Sequence, residues 1–305
     1  AQINSVLGPI DTADLGFTLS HEHVVVTSAG IQYVYPEFID REGSIEAGVA
    51  DLKTAYSEGL RTIVDVTTID LGRDIRLLEQ VSRESGINII CATGTWRDIP
   101  RVFWTAEPDT VAALYIREIE EGIEGTGIKA AIIKVANVGG VTPEGEIILR
   151  AAARAQKATG VPISTHTWAP EVGEQQVAIF EDEGIDLNRV YVGHSNDTTD
   201  TEYLIGLLEK GVWIGLDRYG TEHTPDWIGR TETAKKLIDA GYGHRIMMGH
   251  DSVTLLIASG KRRRTGNPDS YLFIQRNVVP KLKELGASDE DIQNIFVNNP
   301  RRFFE

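Results

Sequence analysis

The sequence predicts an α/β fold, a single (β/α)8 TIM barrel, from three observations. Eight short β-branched or apolar runs alternate with segments of helical period, the pattern of βα units repeated around a parallel sheet. Glycines close several helical segments just before the next run, as in Glu58-Gly59, Ser85-Gly86, Thr159-Gly160 and Lys210-Gly211, where a left-handed residue suits a helix end. Metal-type side chains follow separate runs: His21-Glu22-His23, Lys134, His166, His194 and His250-Asp251. A parallel barrel brings all its strand ends to one face, so residues distant in sequence meet in one pocket. At 305 residues the chain is near the ~250 typical of such a barrel, and one domain over 1–305 is expected.

Taken in order, residues 1–12 read as a small N-terminal cap, and the strands as 17–20, 62–66, 87–92, 130–135, 162–165, 190–193, 212–216 and 245–249. The amphipathic stretches 45–58, 70–85, 108–124, 143–159, 174–183, 200–210 and 227–240 supply the helices between them. A helix over 269–285 follows the eighth strand, and 288–296 reads as one more short helix. Residues 252–267 show no helical period and carry two glycines and a basic run, so they read as a long loop on the strand-end face, a candidate for substrate specificity.

Composition bounds the function. A formal charge of −15 disfavours nucleic acid and anionic membrane, which reward an excess of Lys and Arg. The run Lys261-Arg262-Arg263-Arg264 is an isolated exception, read as a solvated loop edge. Cys91 is the single cysteine and sits in an apolar run, so no intramolecular disulfide forms and a small core residue is expected. No stretch is apolar over the ~18 residues of a membrane span. The cytoplasm is the favoured location, although the absence of Met at position 1 leaves room for a removed leader.

Alternation along a strand points His21 and His23 the same way and Glu22 the other, which makes His-Glu-His a two-toothed metal grip. Alone that is weak, since either ring could be a hydrogen-bonded core histidine. With His166, His194 and Asp251 at the same structural height, a metal site explains more, and imidazole and carboxylate suit Zn, Fe, Co or Mn. Lys134 closes the fourth strand, where a bare ammonium would be repelled by metal ions. It reads as a lysine carboxylated by carbon dioxide, with a salt-bridged core lysine and a Schiff-base lysine as alternatives. His250 alternates away from Asp251 and is expected to support packing or a ligand; His223 is read as exposed, His244 as structural, Trp168 as a pocket wall. Asp65, ending the second strand, is expected to pair with Arg218 or a histidine.

Several stretches resemble a known family, the phosphotriesterase-like branch of the amidohydrolases, including its lactonases. They are Gly16-Phe17-Thr18-Leu19-Ser20-His21-Glu22-His23, Thr62-Ile63-Val64-Asp65, Leu71-Gly72-Arg73-Asp74, Gly193-His194-Ser195-Asn196-Asp197, Gly215-Leu216-Asp217-Arg218-Tyr219-Gly220 and Asn299-Pro300-Arg301-Arg302-Phe303-Phe304. The resemblance implies two divalent metal ions per chain at the C-terminal ends of the strands. His21, His23 and Asp251 would hold the buried one, His166 and His194 the exposed one, and carboxylated Lys134 would bridge both together with a hydroxide that attacks the substrate. Asp251 would then carry the proton to the leaving oxygen. A homodimer is also implied.

The departures bear on substrate. Organophosphate specialists of this family place a His after the acid that ends strand seven and relay protons to a second Asp; here Asp217 precedes Arg218, and only Asp197 matches the relay. Arg218 resembles the lactonase pattern, which implies opening of lactones, N-acyl-homoserine lactones among them, with promiscuous phosphotriester hydrolysis. Trp96 resembles the phosphotriesterase pattern instead, and leaves a primary organophosphate phosphotriesterase or a carboxylesterase as the alternative. A metal-free Schiff-base lyase built on Lys134, and a site that binds metal without turnover, are the readings from other classes.

Overall fold

The computed structural model describes residues 1–219, 224–258, 261–263, 267 and 269–305. Its barrel strands are β1 (Thr18–Val26), β2 (Thr62–Asp65), β3 (Asn88–Gly94), β4 (Ile132–Val138), β5 (Ile163–Trp168), β6 (Val190–Val192), β7 (Trp213–Leu216) and β8 (Ile246–Met248). Each pairs in parallel with the next. Closure comes from the chain around β8: the Ser20 hydroxyl donates to the Met248 carbonyl at 3.0 Å and the Asp251 N–H to the His21 carbonyl at 3.1 Å. The protein is thus the TIM-like barrel that the alternating pattern predicts, with every expected strand present.

Two faces of each strand make two cores. Val64, Ile90, Ala92, Ile132, Tyr191, Trp213 and Met247 fill the barrel, and Ile3, Leu15 and Phe303 plug its N-terminal end. The intervening residues Ile63, Ile89, Cys91, Ile133, Val135 and Ile214 face outward and pack under Leu52, Leu78, Val81, Leu149 and Leu207 of the helices. Cys91 is therefore a core residue, as expected, and burial pushes its thiol up to about 12. Residues 1–12 form an antiparallel hairpin, Gln2–Ser5 with Gly8–Asp11.

The helices Arg41–Ser57, Ile75–Ser85, Pro143–Thr159, Thr201–Glu209 and Trp227–Leu237 each begin with a side-chain cap, from Asp40, Asp74, Thr142, Asp200 and Asp226. Each cap accepts a backbone N–H that the first helical turn leaves unpaired. The second expected helix, 70–85, starts late, at Ile75, because Asp70 and Leu71 belong to a separate turn. Helix 269–285 is broken into irregular turns before Val279–Glu284. Among the described residues no helix is long and apolar enough to cross a membrane.

The segment 252–267 departs from the expected loop. Val253–Ala258 forms β9, which runs parallel to β1 with Val253 opposite His23, and Lys261–Arg263 returns antiparallel to it as β10. The run Val-Thr-Leu-Leu-Ile-Ala has strand propensity, and an open edge of β1 beyond the barrel rim gives it a partner. His223 and Arg264 lie outside the described residues.

A glycine on this rim is structurally required. Gly94 ends β3 at φ +110°, and a Cβ there would lie 2.0 Å from the Lys134 carbonyl oxygen. Gly94→Ala is expected to destabilise the protein by about 3 kcal/mol, from backbone strain and the clash together. Urea unfolding measures this; a loss below ~1 kcal/mol would contradict it.

Candidate metal centre

Strand alternation alone brings Lys134, two residues after the inward Ile132, and His166, two after Ser164, into the barrel mouth. β1 needs more. Its pairing with β2 slips between Leu19 and Glu22, and this irregularity lets neighbouring Ser20 and His21 both face inward, the re-aiming that a bulge provides. Ser20 meets the Tyr191 hydroxyl at 2.8 Å while His21 reaches the mouth. His194 and Asp251, at the ends of β6 and β8, have left-handed backbones, φ +55° and +53°. Such conformations cost of order 1–3 kcal/mol each and cluster at functional sites.

Asp251 is the hub. Its Oδ1 lies 3.3 Å from His21 Nε2 and 3.2 Å from His23 Nε2; its Oδ2 lies 3.7 Å from His194 Nε2 and 3.5 Å from Arg218 Nε. His166 Nδ1 faces His194 Nε2 at 2.7 Å, and His166 Nε2 is buried with no hydrogen-bond partner among the described residues. Burial depresses His194 to about 4 and His166 well below its usual range, so both imidazoles stay neutral, the form that ligates. Burial also opposes ionisation of Asp251, yet His194 and His21 beside it hold its carboxyl well below the carboxylate range.

Lys134 Nζ sits 3.3 Å from His21 Nε2, buried, and burial lowers its amine to about 8. Among the described residues no carboxylate lies within ion-pair distance of it, so the salt-bridged core lysine does not apply.

The outer shell fixes the rings. Asp217 accepts from His194 Nδ1–H at 2.8 Å and from His21 Nδ1 at 3.0 Å, while Thr67 Oγ1 meets His23 Nδ1 at 2.8 Å. A carboxylate thus engages Nδ1 of His21 and His194 and a hydroxyl that of His23, which leaves Nε2 of His21 and His23 facing Asp251 and Nε2 of His194 facing His166. Hydrogen bonds of this kind behind the ring orient metal-ligating histidines, and the donor set of His21, His23 and Asp251 fits a divalent ion. His21, His194 and Asp217 also converge, but there the carboxylate engages the Nδ1 edges, so this triad is a hydrogen-bond bridge.

The remaining expected residues fall around this cluster. Trp96 stands edge-on to His166, ring centroids 5.9 Å apart. The Arg218 guanidinium donates to Asp197 at 2.8 Å and lies over Trp168 at 5.2 Å. Asp197 is also held by Arg230 at 2.9 Å and does not reach the imidazoles, being tied up between two guanidiniums. His250 donates from Nδ1 to Glu22 at 2.7 Å and accepts the Ile274 N–H at Nε2, at 3.0 Å, the supporting role expected of it. Asp65 pairs with neither Arg218 nor a histidine: its carboxylate accepts the Val24 and Thr67 N–H groups, because its side chain follows the outer face of β2. His21, His23, Lys134, His166, Asp251, Trp96, Trp168 and Arg218 line one cleft of about 270 Å³.

Two residues that matter here escape a reading of the sequence. Asp217 signals itself only as an acid at a strand end, and Tyr191 only as an aromatic inside a strand. Their link, a 2.7 Å hydrogen bond from the Tyr191 hydroxyl to Asp217, depends on the curvature that brings β6 and β7 together.

The phosphotriesterase family model matches residues 1–304. A "phosphotriesterase homology protein" of Mycobacterium tuberculosis is 39% identical, over 100% of this chain and 98% of its own length. An "aryldialkylphosphatase" of Saccharolobus solfataricus is 38% identical over 97% of this chain and 96% of its own. An "N-acetyltaurine hydrolase" of Dictyostelium discoideum is 31% identical over 93% and 80%.

Proposed function

This chain belongs to the phosphotriesterase family, and from that premise we propose that it is a binuclear metal-dependent hydrolase that opens lactones, with phosphotriester hydrolysis as a side activity. His21, His23 and Asp251 would hold one divalent ion, His166 and His194 a second, and Lys134 would join them as a carbamate. Burial of its amine, lowered to about 8, favours the neutral form that can attack carbon dioxide: the nitrogen lone pair forms the N–C bond, a proton leaves, and an anionic ligand results. Two such ions supply an acidified water and polarise the substrate's carbonyl or phosphoryl oxygen.

The chain's own residues handle the proton and the substrate. Asp251 is the most accessible of these groups, its side chain 22% exposed against 0–7% for His21, His23 and His194. It accepts the proton of the attacking water and returns it to the leaving oxygen. The observation that carries the lactone reading is Arg218, with Nε 3.5 Å from Asp251 and its far end fixed to Asp197. A guanidinium there favours the ionised form of Asp251 and cannot itself relay protons, as a histidine could. An opened lactone leaves a tethered alkoxide that needs one proton, which Asp251 can return; no longer relay is required.

Trp96 favours the second reading, phosphotriester hydrolysis as the main activity, because its indole lines the cleft beside His166 as an aromatic partner for an aryl leaving group. Metal content by plasma emission, with pH-indicator rates for an N-acyl-homoserine lactone, a γ-lactone and an aryl phosphotriester, separates the two. About two metals per chain and faster lactone turnover are expected. The reverse ranking would make Trp96 the better guide, and metal-free inactive protein would sink both.

A further inference from the structure

The rim of the cleft carries a cation that the hydrolytic reading does not use. Arg97 is exposed, and its guanidinium carbon lies 4.6 Å over the Trp96 ring, whose edge-on contact with His166 is the 5.9 Å pair already described. The guanidinium is therefore no farther from the imidazole cluster than those two separations laid end to end. Both Trp96 and Arg97 line the cleft, together with the apolar Val26, Leu71 and Val253.

The backbone on both sides of Arg97 is pinned. Asp70, only 5% exposed, accepts the Trp96 N–H at Oδ1, 2.9 Å, and the Asp98 N–H at Oδ2, 3.1 Å, while Thr68 Oγ1 donates to Oδ1 at 2.5 Å. Thr95 is held in turn: its N–H donates to the Lys134 carbonyl and its hydroxyl meets the Tyr115 hydroxyl at 2.7 Å. A buried carboxylate that accepts these donors serves to fix the segment, and it pays its own desolvation, which raises its pKa. Arg97 is thus presented from a rigid turn and stacked on an indole. Arg218 is committed to Asp197, whereas among the described residues no carboxylate pairs with Arg97.

We propose that Arg97 is a specificity residue that recognises an anionic group, a carboxylate or sulfonate, carried by the substrate a few methylenes from the bond that the metal centre hydrolyses. The planar fork of a guanidinium matches such an anion with two parallel hydrogen bonds, and its pre-positioning lowers the ordering cost of forming them. In a chain of net charge −15 a general repulsion of anions makes a local cation at the cleft mouth the more selective. The apolar wall of Val26, Leu71 and Val253 suits the methylene linker. This rests on the metallohydrolase reading above.

The test compares mono-(4-nitrophenyl) adipate with 4-nitrophenyl hexanoate, which lacks the distal carboxylate, using metal-loaded wild type, Arg97→Gln and Arg97→Lys. Wild type is expected to favour the anionic ester about tenfold in kcat/KM, through KM, at low salt. The preference should vanish in Arg97→Gln, survive in part in Arg97→Lys, and shrink with added salt. Calorimetric titration with adipate and hexanoate, each offering one carboxylate to the metals, reads the same contact without turnover: adipate should bind about tenfold tighter to wild type and equally to Arg97→Gln. An anionic preference unchanged in Arg97→Gln, or adipate binding wild type no tighter than hexanoate, overturns the proposal. If neither ester is hydrolysed the hydrolase reading falls, and the adipate titration still decides the role of Arg97.

Discussion

On the proposed mechanism, Asp251→Asn is expected to lower hydrolytic turnover by about 10²–10⁴-fold, the range for loss of a positioned proton carrier, and to reduce bound metal as well. The wild-type carboxylate turns Oδ1 to two imidazole Nε2 atoms and Oδ2 toward His194 and Arg218. An amide keeps the shape but replaces one acceptor with an NH2 donor, which must face either a ligand cluster or the Arg218 guanidinium. It carries no proton to a leaving oxygen and no charge to offset the cations around it. Because the residue ends β8 in a left-handed conformation that Asn tolerates well, the fold should survive. Circular dichroism melting then separates chemical from structural loss. Full turnover with a normal melt would remove Asp251 from the mechanism.

Much of this arrangement is legible in the sequence, for reasons that also explain what is not. Each of the eight strands is a short apolar run between turn residues, so periodicity finds it. Lys134 and His166 follow directly, since both obey strict alternation from an inward neighbour. His21 does not: alternation from the inward Ser20 would turn it away, and only the slipped pairing of β1 with β2 brings it round. The strand Val253–Ala258 was illegible because its partner is the rim of β1, far away in sequence, and its flanking glycines and basic run look like a loop. Asp65 and Asp197 show the same limit. Each is an acid near a strand end, but whether such an acid meets an imidazole, a backbone N–H or an arginine depends on neighbours that only the closed barrel supplies.

Asp217→Asn is expected to weaken metal retention by about 10–100-fold, the usual cost of losing a partner behind a ligating histidine. The carboxylate is fully buried and accepts four donors: the His194 N–H at 2.7 Å, His194 Nδ1–H at 2.8 Å, the Tyr191 hydroxyl at 2.7 Å and His21 Nδ1 at 3.0 Å. An amide oxygen cannot accept all of them, and its NH2 confronts at least one N–H or O–H, each orphaned donor costing about 1–3 kcal/mol. Either imidazole can escape by shifting its proton to Nε2, which removes the lone pair that a metal ion would need there. One carboxylate therefore secures a ligand of each proposed metal, and its loss should release both ions rather than one. Chelator-induced metal release followed by plasma emission distinguishes these outcomes. A variant that loses a single ion would show that the two imidazoles are oriented independently. The same group makes the fold acid-sensitive: burial opposes its charge, but His194 and His21 hold its carboxyl well below the ordinary 3.8, so its stabilisation is complete above that value and lost as pH falls through the lowered one. Acid unfolding of the metal-free protein should lose that component in Asp217→Asn.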